Sequence, residues 1–374
     1  MAIKRERYKD FSRDLHAHTG HQPIVAQMEF THRCPLHCEH CYTDCYNNNE
    51  STKGDLSTSK VKELMDKCKA DGVIWFCFTG GDPLMRKDFI ELYLYAKKLG
   101  FITTVFSPLV SMSADVLKTF ITYPPFNIET TLNAATDSKY KEITKTDLFQ
   151  KHVQNIKKLL KNKIPVRVKT QVTKQNIGQI EKIKKLVGSL GLDFRPSTML
   201  HARLDGDTHP ATLRLGPKEA IRVNERYGFF DDEESRPAGK KFDVKKMIGI
   251  PDNDKLLTCA AGGHAFWISP QGKMLICGNL RINGYDLLKK GNTVKEGFYK
   301  LHQEIHDLEF KTKSKCRTCE YRLICKWCAG RAVLETGSLE EPIEYFCALT
   351  KETIRSQRHK PLHRQPSSLI RDRR

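Results

Sequence analysis

Three cysteines near the start of the chain are spaced closely enough to hold one metal centre. Cys34, Cys38 and Cys41 form a C-x3-C-x2-C pattern and follow the apolar run at residues 24–30, which predicts a β-strand. Iron–sulfur clusters are usually held by four cysteines, so three predict a [4Fe–4S] cluster with one iron open to another ligand. A zinc loop, or cysteines retained for packing, is the alternative at this point.

A second group of cysteines lies toward the end of the chain. Its seven members are Cys259, Cys277, Cys316, Cys319, Cys325, Cys328 and Cys347. Two C-x2-C pairs among them are separated by only five residues, whereas the pairs of a zinc ribbon lie further apart. Zinc takes four ligands, and seven cysteines do not divide into fours. Two iron–sulfur clusters, one with four cysteines and one with three, account for all seven. The other three cysteines, Cys45, Cys68 and Cys77, look incidental.

Composition narrows the class of protein. The chain has 374 residues, of which 39% are hydrophobic and 29% charged, and this balance predicts a soluble globular protein with room for two domains. No apolar run is long enough to span a membrane and no signal-peptide core is present, so we expect a cytoplasmic protein with no membrane partner. Disulfides are rare in a reducing cytosol, which favours metal ligation for the cysteines. The net charge of +19 favours an acidic partner.

Strand and helix patterns alternate through the first half of the chain. Apolar runs bounded by glycine or proline predict strands at residues 24–30, 73–78, 101–106, 126–132, 166–172 and 192–198. The segments between them predict helices at residues 57–70, 87–99, 114–123, 148–161 and 177–190. Such alternation indicates parallel βα units, and six units close about three-quarters of a (β/α)8 barrel. The predicted fold is α/β, a partial (β/α)6 TIM-like barrel followed by a small cysteine-rich domain.

The cysteine loop, which we define as residues 31–42 with the sequence THRCPLHCEHCY, resembles the signature of radical S-adenosylmethionine (SAM) enzymes. In that family the open iron binds the amino and carboxyl groups of SAM, and a partial (β/α)6 barrel is common. Gly80, Gly81 and Asp82, at the end of the second predicted strand, resemble the family's GGEP segment, which hydrogen-bonds the SAM amino group. Asp82 stands where the family usually has Glu.

The same resemblance implies further SAM contacts at the strand ends. Tyr42 occupies the place of the aromatic residue that borders the adenine. Thr131 and Asn133, after the fourth strand, match polar residues that meet the SAM carboxylate or ribose, although ordinary strand-end residues are an equal alternative. Arg195 and Ser197 lie near the end of the sixth strand, where barrel sites form. The fifth strand offers weaker candidates at Lys169, Thr170 and Gln171. No catalytic acid or base is identified.

The C-terminal cysteines resemble the SPASM domain, the auxiliary-cluster extension of one radical SAM subfamily. Its pattern, C-x9-15-G-x4-C followed by C-x2-C-x5-C-x3-C and a last cysteine, is matched except that two residues, rather than three, separate Cys325 from Cys328. The resemblance assigns one auxiliary cluster to the outer cysteine set, defined as Cys316, Cys319, Cys325 and Cys347. It assigns a second, with an open iron, to the inner cysteine set, defined as Cys259, Cys277 and Cys328.

These features together predict five segments. They are an N-terminal extension (1–23), the radical SAM barrel (24–200), a connecting region (201–257), the SPASM domain (258–350) and a basic, disordered tail (351–374). The connecting region is expected to join the domains and to line the substrate opening, because binding residues often lie on such loops.

The resemblance implies that the chain cleaves SAM reductively to a 5′-deoxyadenosyl radical and takes hydrogen from a peptide or protein. An electron donor such as flavodoxin or ferredoxin would then be a partner. About 23 residues precede the first strand, fewer than the peptide-recognition domain of many such maturases, so recognition is expected through a separate protein, the basic surface or a short substrate.

Two other functions stay open from the sequence. One is a small-molecule radical SAM enzyme of the haem or tetrapyrrole-pathway type, whose carboxylated substrate would also suit the positive charge. The other is a zinc-bearing nucleic-acid binder, which predicts zinc without iron. No RNA- or DNA-reading motif supports the nucleic-acid alternative.

Overall fold

The structure, a computed structural model, describes residues 21–228, 248–251, 253–257, 259 and 261–358. Most of the predicted N-terminal extension, the part of the connecting region at residues 229–247 and the tail from residue 359 onward lie outside the described residues.

Within the described residues, the sheet has nine strands, and the first six of them along the chain pair in parallel. The strands are β1 (Val25–Glu29), β2 (Trp75–Thr79), β3 (Ile102–Phe106), β4 (Asn127–Thr131), β5 (Val166–Gln171), β6 (Arg195–Ser197), β7 (Ala265–Ile268), β8 (Lys273–Leu275) and β9 (Tyr285–Asp286). Their order across the sheet is β6-β5-β4-β3-β2-β1-β7-β8-β9. Because β1 to β6 pair in sequence order and in parallel, the predicted α/β architecture of six βα units is confirmed.

Helices connect these strands and continue into the C-terminal region. They are α1 (Asn49–Thr52), α2 (Thr58–Ala70), α3 (Phe89–Lys98), α4 (Ala114–Thr122), α5 (Asp137–Thr144), α6 (Phe149–Lys161), α7 (Ile180–Ser189), α8 (His209–Thr212), α9 (Pro217–Tyr227), α10 (Val294–His306), α11 (Ala329–Thr336) and α12 (Glu344–Arg358). Short 3-10 helices lie at Asp44–Tyr46, Pro83–Met85 and Ile177–Gln179. Ser57 and Ser113 cap α2 and α4, since each hydroxyl accepts a hydrogen bond from the third residue beyond it.

The C-terminal region extends the sheet of the barrel. Strand β7 pairs in parallel with β1, opposite Val25 through Met28, and β8 then turns back antiparallel to β7. This extension was not predicted from the sequence, because strands of two to four residues show little periodicity. The extension places the loop that carries Cys277 beside the end of β1.

The two faces of the sheet differ in burial. Side chains that point toward the helices, such as Phe76, Val105 and Ile128, are fully buried. Side chains on the opposite face, which we call the inner face, are mostly polar or charged and partly exposed over β4 to β6. Alternation along each strand produces this division, because successive side chains point to opposite faces. The inner face is therefore the open side of the partial barrel.

Parts of the connecting region and the tail are more regular than the sequence indicated. Helix α9 packs against α12 in a second hydrophobic cluster that includes Val223 and Phe346. Arg214, just before α9, forms a buried ion pair with Glu335 of α11. The segment before residue 228 is thus anchored to the C-terminal helices. The tail predicted from residue 351 needs correction as well, since α12 continues to Arg358.

Candidate active site and cysteine sets

The cysteine loop follows β1 and is held in shape by the side-chain amide of Asn47. The amide oxygen accepts from the backbone N–H of Cys34 at 2.9 Å, and the amide nitrogen donates to the carbonyls of Cys34 and Leu36 at 3.0 and 3.1 Å. The Cys41 N–H donates to the Cys38 carbonyl at 2.9 Å, which closes the second half of the loop. Asn47 lies in a polar connector in which no functional residue was predicted.

Two other elements contact the cysteine loop. The N–H groups of His37 and Glu39 donate to the last carbonyls of α5, on Thr144 and Ile143, at 3.0 and 3.3 Å. The side-chain amide of Asn133, just beyond β4, lies 3.0 Å from the Nε2 atom of His40. The loop is therefore supported by elements that are far from it in sequence.

The three thiols of the loop lie close enough to influence one another electrostatically. Burial raises the pKa of Cys34, Cys38 and Cys41 above the ordinary thiol value. The charges of neighbouring thiols raise the pKa of Cys38 further, and the Asp82 carboxylate and Cys41 do the same for Cys34. Three buried thiolates are unfavourable unless a cationic centre compensates them, as iron does.

Within the described ranges, no group of three or more His, Cys, Asp and Glu side chains is placed to hold one metal ion. A [4Fe–4S] cluster binds each cysteine to a different iron, so its ligands need not surround one ion.

Gly80 and Gly81 let the end of β2 approach the cysteine loop. The Gly81 N–H donates to the Thr31 carbonyl at 2.8 Å, and the Asp82 N–H donates to the Arg33 carbonyl at 2.8 Å. A Cβ atom on Gly80 would lie 2.3 Å from the Thr31 oxygen, and one on Gly81 would lie 2.5 Å from the Arg33 oxygen. Gly80 also has a φ of 121°, which side chains rarely tolerate. Larger residues would separate the two loops.

Asp82 has a fully buried carboxyl group with one oxygen free of hydrogen bonds among the described residues. Its Oδ1 atom accepts from the Ser107 hydroxyl at 2.7 Å and from the Leu84 N–H at 3.1 Å. Ser111 lies nearby, but its hydroxyl donates to the Met85 sulfur. Burial raises the pKa of Asp82, while the hydrogen bonds oppose this rise. The Oδ2 atom is therefore an unsatisfied acceptor close to Cys34.

The structure places the other predicted SAM contacts at the ends of β4 to β6 and beside the cysteine loop. Thr131 is exposed at the end of β4, whereas the Asn133 amide already bonds His40 and the backbone N–H of Gln171. Arg195 and Ser197 are half-buried on the inner face of β6. Thr170 points the other way and is buried. Tyr42 is half-buried, with its ring centroid 5.2 Å from that of His201.

A buried ion pair that the sequence did not indicate joins the barrel to the C-terminal region. Arg281, four residues after Cys277, donates two hydrogen bonds to Glu29 at the end of β1, and its Nε atom donates to the Gly278 carbonyl at 2.8 Å. Burial alone would raise the pKa of Glu29, but His32 and Arg281 lower it overall. The partners are 252 positions apart, so no local pattern could have revealed the pair.

The outer cysteine set is brought together in space. Burial and then the charges of Cys347, Cys325 and Cys319 raise the pKa of Cys316 to about 12. A cavity of about 640 Å³ is lined by all four of these cysteines together with Trp327. Four thiols around one cavity match the donor set of a four-cysteine cluster.

The inner cysteine set is also brought together. Burial raises the pKa of Cys259, and the charges of Cys328 and Cys277 raise it further. Cys328 occupies the residue before α11, and its side chain makes no capping hydrogen bond. Despite the shortened spacing before Cys328, its thiol lies close enough to Cys259 to affect the pKa of that thiol. The division of the seven cysteines between two clusters stays a prediction.

The remaining cysteines lie apart from these groups. Cys68 is buried in the core under α2, and Cys77 is buried on β2. Cys45 follows the cysteine loop in the 3-10 helix at Asp44–Tyr46, and its thiol points to the Tyr42 carbonyl, 3.7 Å away. That they bind no cluster stays a prediction.

Comparison with protein families identifies one match, to the radical SAM superfamily over residues 28–187. This range starts within β1 and ends within α7, so it contains the cysteine loop and Gly80, Gly81 and Asp82. Among the described residues, no helix is long and apolar enough to cross a membrane.

The curated relatives include two kinds of enzyme. An AdoMet-dependent heme synthase of Methanosarcina barkeri is 23% identical over 351 residues, which cover 87% of this chain and 96% of that protein. A PqqA peptide cyclase of Bradyrhizobium diazoefficiens is 24% identical over 350 residues, which cover 90% and 89%. Both alignments extend well beyond the barrel into the C-terminal cysteine region.

Solved structures show the same fold. Streptococcus suis SuiB bound to its precursor peptide SuiA has a TM-score of 0.65 and 16% sequence identity, covering 91% of this chain and 83% of that one. The anSMEcpe enzyme with bound AdoMet and Cp18Cys peptide has a TM-score of 0.61 and 17% identity, covering 89% and 96%. The likeness spans the barrel and the C-terminal region together.

Proposed function

We propose that this chain, which belongs to the radical SAM superfamily, cleaves SAM reductively and uses the resulting radical to remove hydrogen from a peptide or protein. The observation that carries the proposal is the hydrogen-bonded contact between the cysteine loop and the Gly80-Gly81-Asp82 segment. It puts three thiols and a buried carboxylate at one end of the sheet, where barrel enzymes carry their sites.

The residues present fit a [4Fe–4S] cluster with bound SAM. Cys34, Cys38 and Cys41 supply three thiol ligands, and the unsatisfied Oδ2 atom of Asp82 is an acceptor for a ligand's ammonium group. When bound, the cluster supplies one electron that splits SAM into methionine and a 5′-deoxyadenosyl radical, which takes a hydrogen atom from the substrate. The chain itself contributes binding, orientation and exclusion of water.

Residues around the loop position these groups. The Asn47 amide fixes the backbone at Cys34, and the N–H groups of Gly81 and Asp82 fix the start of the loop. Glu29 and Arg281 tie the end of β1 to the loop that follows Cys277. Tyr42, Thr131, Arg195 and Ser197 remain proposed SAM contacts at the open end of the barrel.

We assign two auxiliary iron–sulfur clusters to the C-terminal region, both of the [4Fe–4S] type. The outer cysteine set would supply four ligands to one, and the inner cysteine set three ligands to the other. The grouping of thiols into four and three supports this division. An auxiliary cluster would accept or relay the electron left on the substrate radical, and a flavodoxin or ferredoxin would supply the first electron.

A peptide or protein substrate is supported by the likeness to three proteins. SuiB was solved with a precursor peptide, anSMEcpe with a bound peptide, and the Bradyrhizobium relative is named a peptide cyclase. A second candidate is a small-molecule reaction, favoured by the heme synthase relatives, whose alignments cover similar shares of the chain. The two candidates differ in the chemical class of the hydrogen donor.

Anaerobic reconstitution tests the cofactor part of the proposal. Three clusters predict about twelve irons per chain, and dithionite with SAM should release 5′-deoxyadenosine. Replacing Cys34, Cys38 and Cys41 with Ala should abolish this release and leave about eight irons. Cys45→Ala is the matched control, because this cysteine lies just beyond the loop, and it should keep both properties. Four irons or fewer in the wild-type protein would contradict three clusters.

Isotope transfer tests the substrate class. The reconstituted enzyme is mixed with extract from cells of its source grown on deuterated amino acids, and deuterium is then sought in 5′-deoxyadenosine. Pretreating the extract with a protease, followed by protease inhibition, should remove the deuterium donor if it is a peptide or protein. A donor that survives the treatment would favour the small-molecule reaction instead.

A further inference from the structure

The outer surface over α6 and α7 carries a concentration of positive charge. Residues 148–192, which contain both helices, hold eleven Lys or Arg residues and one acidic residue, so this segment contributes +10 of the net charge of +19. Eight of the eleven are exposed lysines of α6, of α7 and of the turn after α6. We call them the lysine face, and they are Lys151, Lys157, Lys158, Lys161, Lys163, Lys182, Lys184 and Lys185.

No carboxylate neutralises the lysine face. Within the part of the chain that the structure describes, none of its ammonium groups forms an ion pair, although that of Lys184 lies over the ring of Tyr227. Glu181, the acidic residue of the segment, is already paired with Arg226 and accepts from the Tyr227 hydroxyl. By contrast, each lysine of the neighbouring helix α5 is paired with a carboxylate. The lysine face therefore keeps a positive charge that attracts anions.

The lysines of the two helices lie on one surface. Ile156 and Leu159 of α6 are buried in the same hydrophobic core as Ile183 and Val187 of α7. Each helix thus turns its apolar stripe toward the strands and its lysines away from them. Because β5 connects the two helices within consecutive βα units, they lie side by side on the outside of the partial barrel.

One end of this surface lies close to the cysteine loop. His152, which follows the exposed Lys151, is fully buried, and its Nδ1 atom lies 3.3 Å from the Tyr140 hydroxyl. Burial raises the pKa of Tyr140, and the charges of Cys38 and Cys34 raise it further, so the Tyr140 hydroxyl lies near both thiols. The side chains of His152 and Tyr140 therefore lie between the lysine face and two predicted cluster ligands.

The residue types of the lysine face favour a protein partner. No apolar or aromatic side chain of α6 or α7, both of which the structure describes in full, is exposed. The surface thus offers no group to insert into a membrane or to stack on a nucleic-acid base. Lysine is a compact, strongly hydrated charge, which suits long-range attraction of an acidic protein. Electron-transfer proteins form small, weak interfaces of this kind.

We propose that the lysine face docks the acidic carrier protein that delivers one electron to the cluster at Cys34, Cys38 and Cys41. The inference rests on the proposed function, and it commits this surface to a small flavin or iron–sulfur protein rather than to the substrate. In the docked complex the carrier loses one electron and the cluster gains it, and no bond forms or breaks. Attraction between opposite charges raises the rate of association by about tenfold or more at low salt.

Comparing protein carriers with a small reductant tests the docking surface. The carriers are an acidic flavodoxin and an acidic ferredoxin, each supplied in reduced form, and the small reductant is dithionite, which needs no docking surface. Lys151→Glu combined with Lys158→Glu should lower carrier-driven release of 5′-deoxyadenosine by about tenfold or more. Dithionite-driven release should stay at the wild-type rate. Added salt should slow the carrier-driven reaction of the wild type, since salt screens exposed charges.

The matched control reverses two charges elsewhere. Lys289 and Lys290 are exposed, consecutive lysines just after β9, which lies at the opposite edge of the sheet from β6. Lys289→Glu combined with Lys290→Glu should change the carrier-driven rate by less than about twofold. An equal fall in both double variants, or an unchanged rate in Lys151→Glu with Lys158→Glu, would overturn the docking surface. So would a wild type that releases 5′-deoxyadenosine with dithionite but with neither carrier.

Binding measurements separate the remaining outcomes. Fluorescence anisotropy of the labelled carriers should show weaker binding to Lys151→Glu with Lys158→Glu than to the wild type or the control variant. If that variant instead loses affinity for a labelled oligothymidylate and keeps the carrier-driven rate, the surface belongs to a nucleic acid and the docking proposal is wrong. Absence of 5′-deoxyadenosine release with dithionite in the wild type would reject the proposed function, while anisotropy would still measure carrier binding.

Discussion

Asn47 shows how one side chain can hold the cysteine loop in shape without being a candidate metal ligand itself. Its amide makes three hydrogen bonds to the backbone of Cys34 and Leu36. Asn47→Ala removes all three and should destabilise the folded protein by about 2 kcal/mol, because two carbonyls and an N–H lose their partners. We expect a loss of about four irons per chain, measured after anaerobic reconstitution.

A surface asparagine provides the control for this prediction. Asn162 ends α6, and its exposed amide donates to the Lys158 carbonyl. Asn162→Ala should keep the full iron content and change stability by less than about 0.5 kcal/mol. Equal iron content in the two variants would show that Asn47 does not organise the cysteine loop.

His152 gives the protein a pH-dependent stability. The ring is fully buried and hydrogen-bonds to the hydroxyls of Thr130 and Tyr140 at 2.8 and 3.3 Å. Burial lowers its pKa from 6.5 to about 4. Between these values the unfolded chain binds a proton that folded His152 does not, so stability is lost as the pH falls through this range.

A histidine variant isolates this contribution from those of other buried histidines. Wild-type protein should lose about 2 kcal/mol more than His152→Gln when the pH is lowered from 7 to 5, since only the wild type carries the depressed group. Urea unfolding at the two pH values measures the difference. If the stability of both proteins changes equally between pH 7 and pH 5, His152 takes up its proton in the folded state over the same pH range as in the unfolded chain.

Residue types alone revealed the cysteines but not the groups that position them. Cysteine has few uses in a reducing compartment, so its spacing carries information. Asn, Glu and Arg are residue types that are common on protein surfaces, so the roles of Asn47, Glu29 and Arg281 become visible only from partners distant in sequence. The sequence therefore predicted the candidate metal ligands, while their supporting contacts required the structure.

Among the secondary-structure elements, the end of β2 can approach the cysteine loop only because Gly81 has no side chain. Gly81→Ala would place a Cβ atom 2.5 Å from the carbonyl oxygens of His32 and Arg33. Backbone atoms cannot move away as a flexible side chain would, so the two loops must separate at a cost of about 3 kcal/mol. We expect lower thermal stability and loss of about four irons per chain.

Gly188→Ala is the matched control for this substitution. Gly188 lies in α7 with no neighbour near its would-be Cβ atom, and alanine favours helix there by about 1 kcal/mol. This variant should be as stable as the wild type or more stable, with unchanged iron content. A Gly81→Ala variant that behaves in the same way would contradict the close packing of the two loops.

The helices and strands of the barrel were predictable because each carries a strong local pattern. The apolar run between Gly72 and Gly80 predicted β2 to within two residues, and the segment that follows Gly100 predicted β3 to within one. Helix α5 was missed, because DSKYKEIT is short and largely polar and buries only three residues. Strands β7 to β9 were missed because pairing with β1, rather than any periodicity of their own, makes them strands.

At the scale of the whole molecule, the barrel and the C-terminal region form a continuous structure. Strand β7 extends the sheet beyond β1, and the Glu29–Arg281 ion pair lies at the end of this seam. The predicted fold is a partial barrel followed by a small cysteine-rich domain. The shared sheet joins the cysteine loop to the loop that follows Cys277, which brings the inner cysteine set toward the barrel.

The ion pair at this seam should stabilise the two regions jointly. The Glu29 side chain is 3% exposed and that of Arg281 is 20% exposed. Arg281→Met leaves the Glu29 carboxylate buried with His32 as its remaining partner, so we expect a loss of about 3 kcal/mol in the free energy of unfolding. Glu29→Gln should cost less, because Arg281 still reaches solvent.

A double-mutant cycle on this pair tests whether the seam couples the two regions. The variant with both Glu29→Gln and Arg281→Met should be more stable than the sum of the single changes predicts, by more than about 1 kcal/mol. Anaerobic guanidinium unfolding of the four proteins measures this coupling. The exposed Lys62–Glu91 pair, which joins α2 to α3, is the control and should give a coupling below about 0.5 kcal/mol. Equal coupling free energies in the two cycles would mean that the Glu29–Arg281 pair contributes no more than an exposed ion pair. The pair would then not couple the stability of the barrel to that of the C-terminal region.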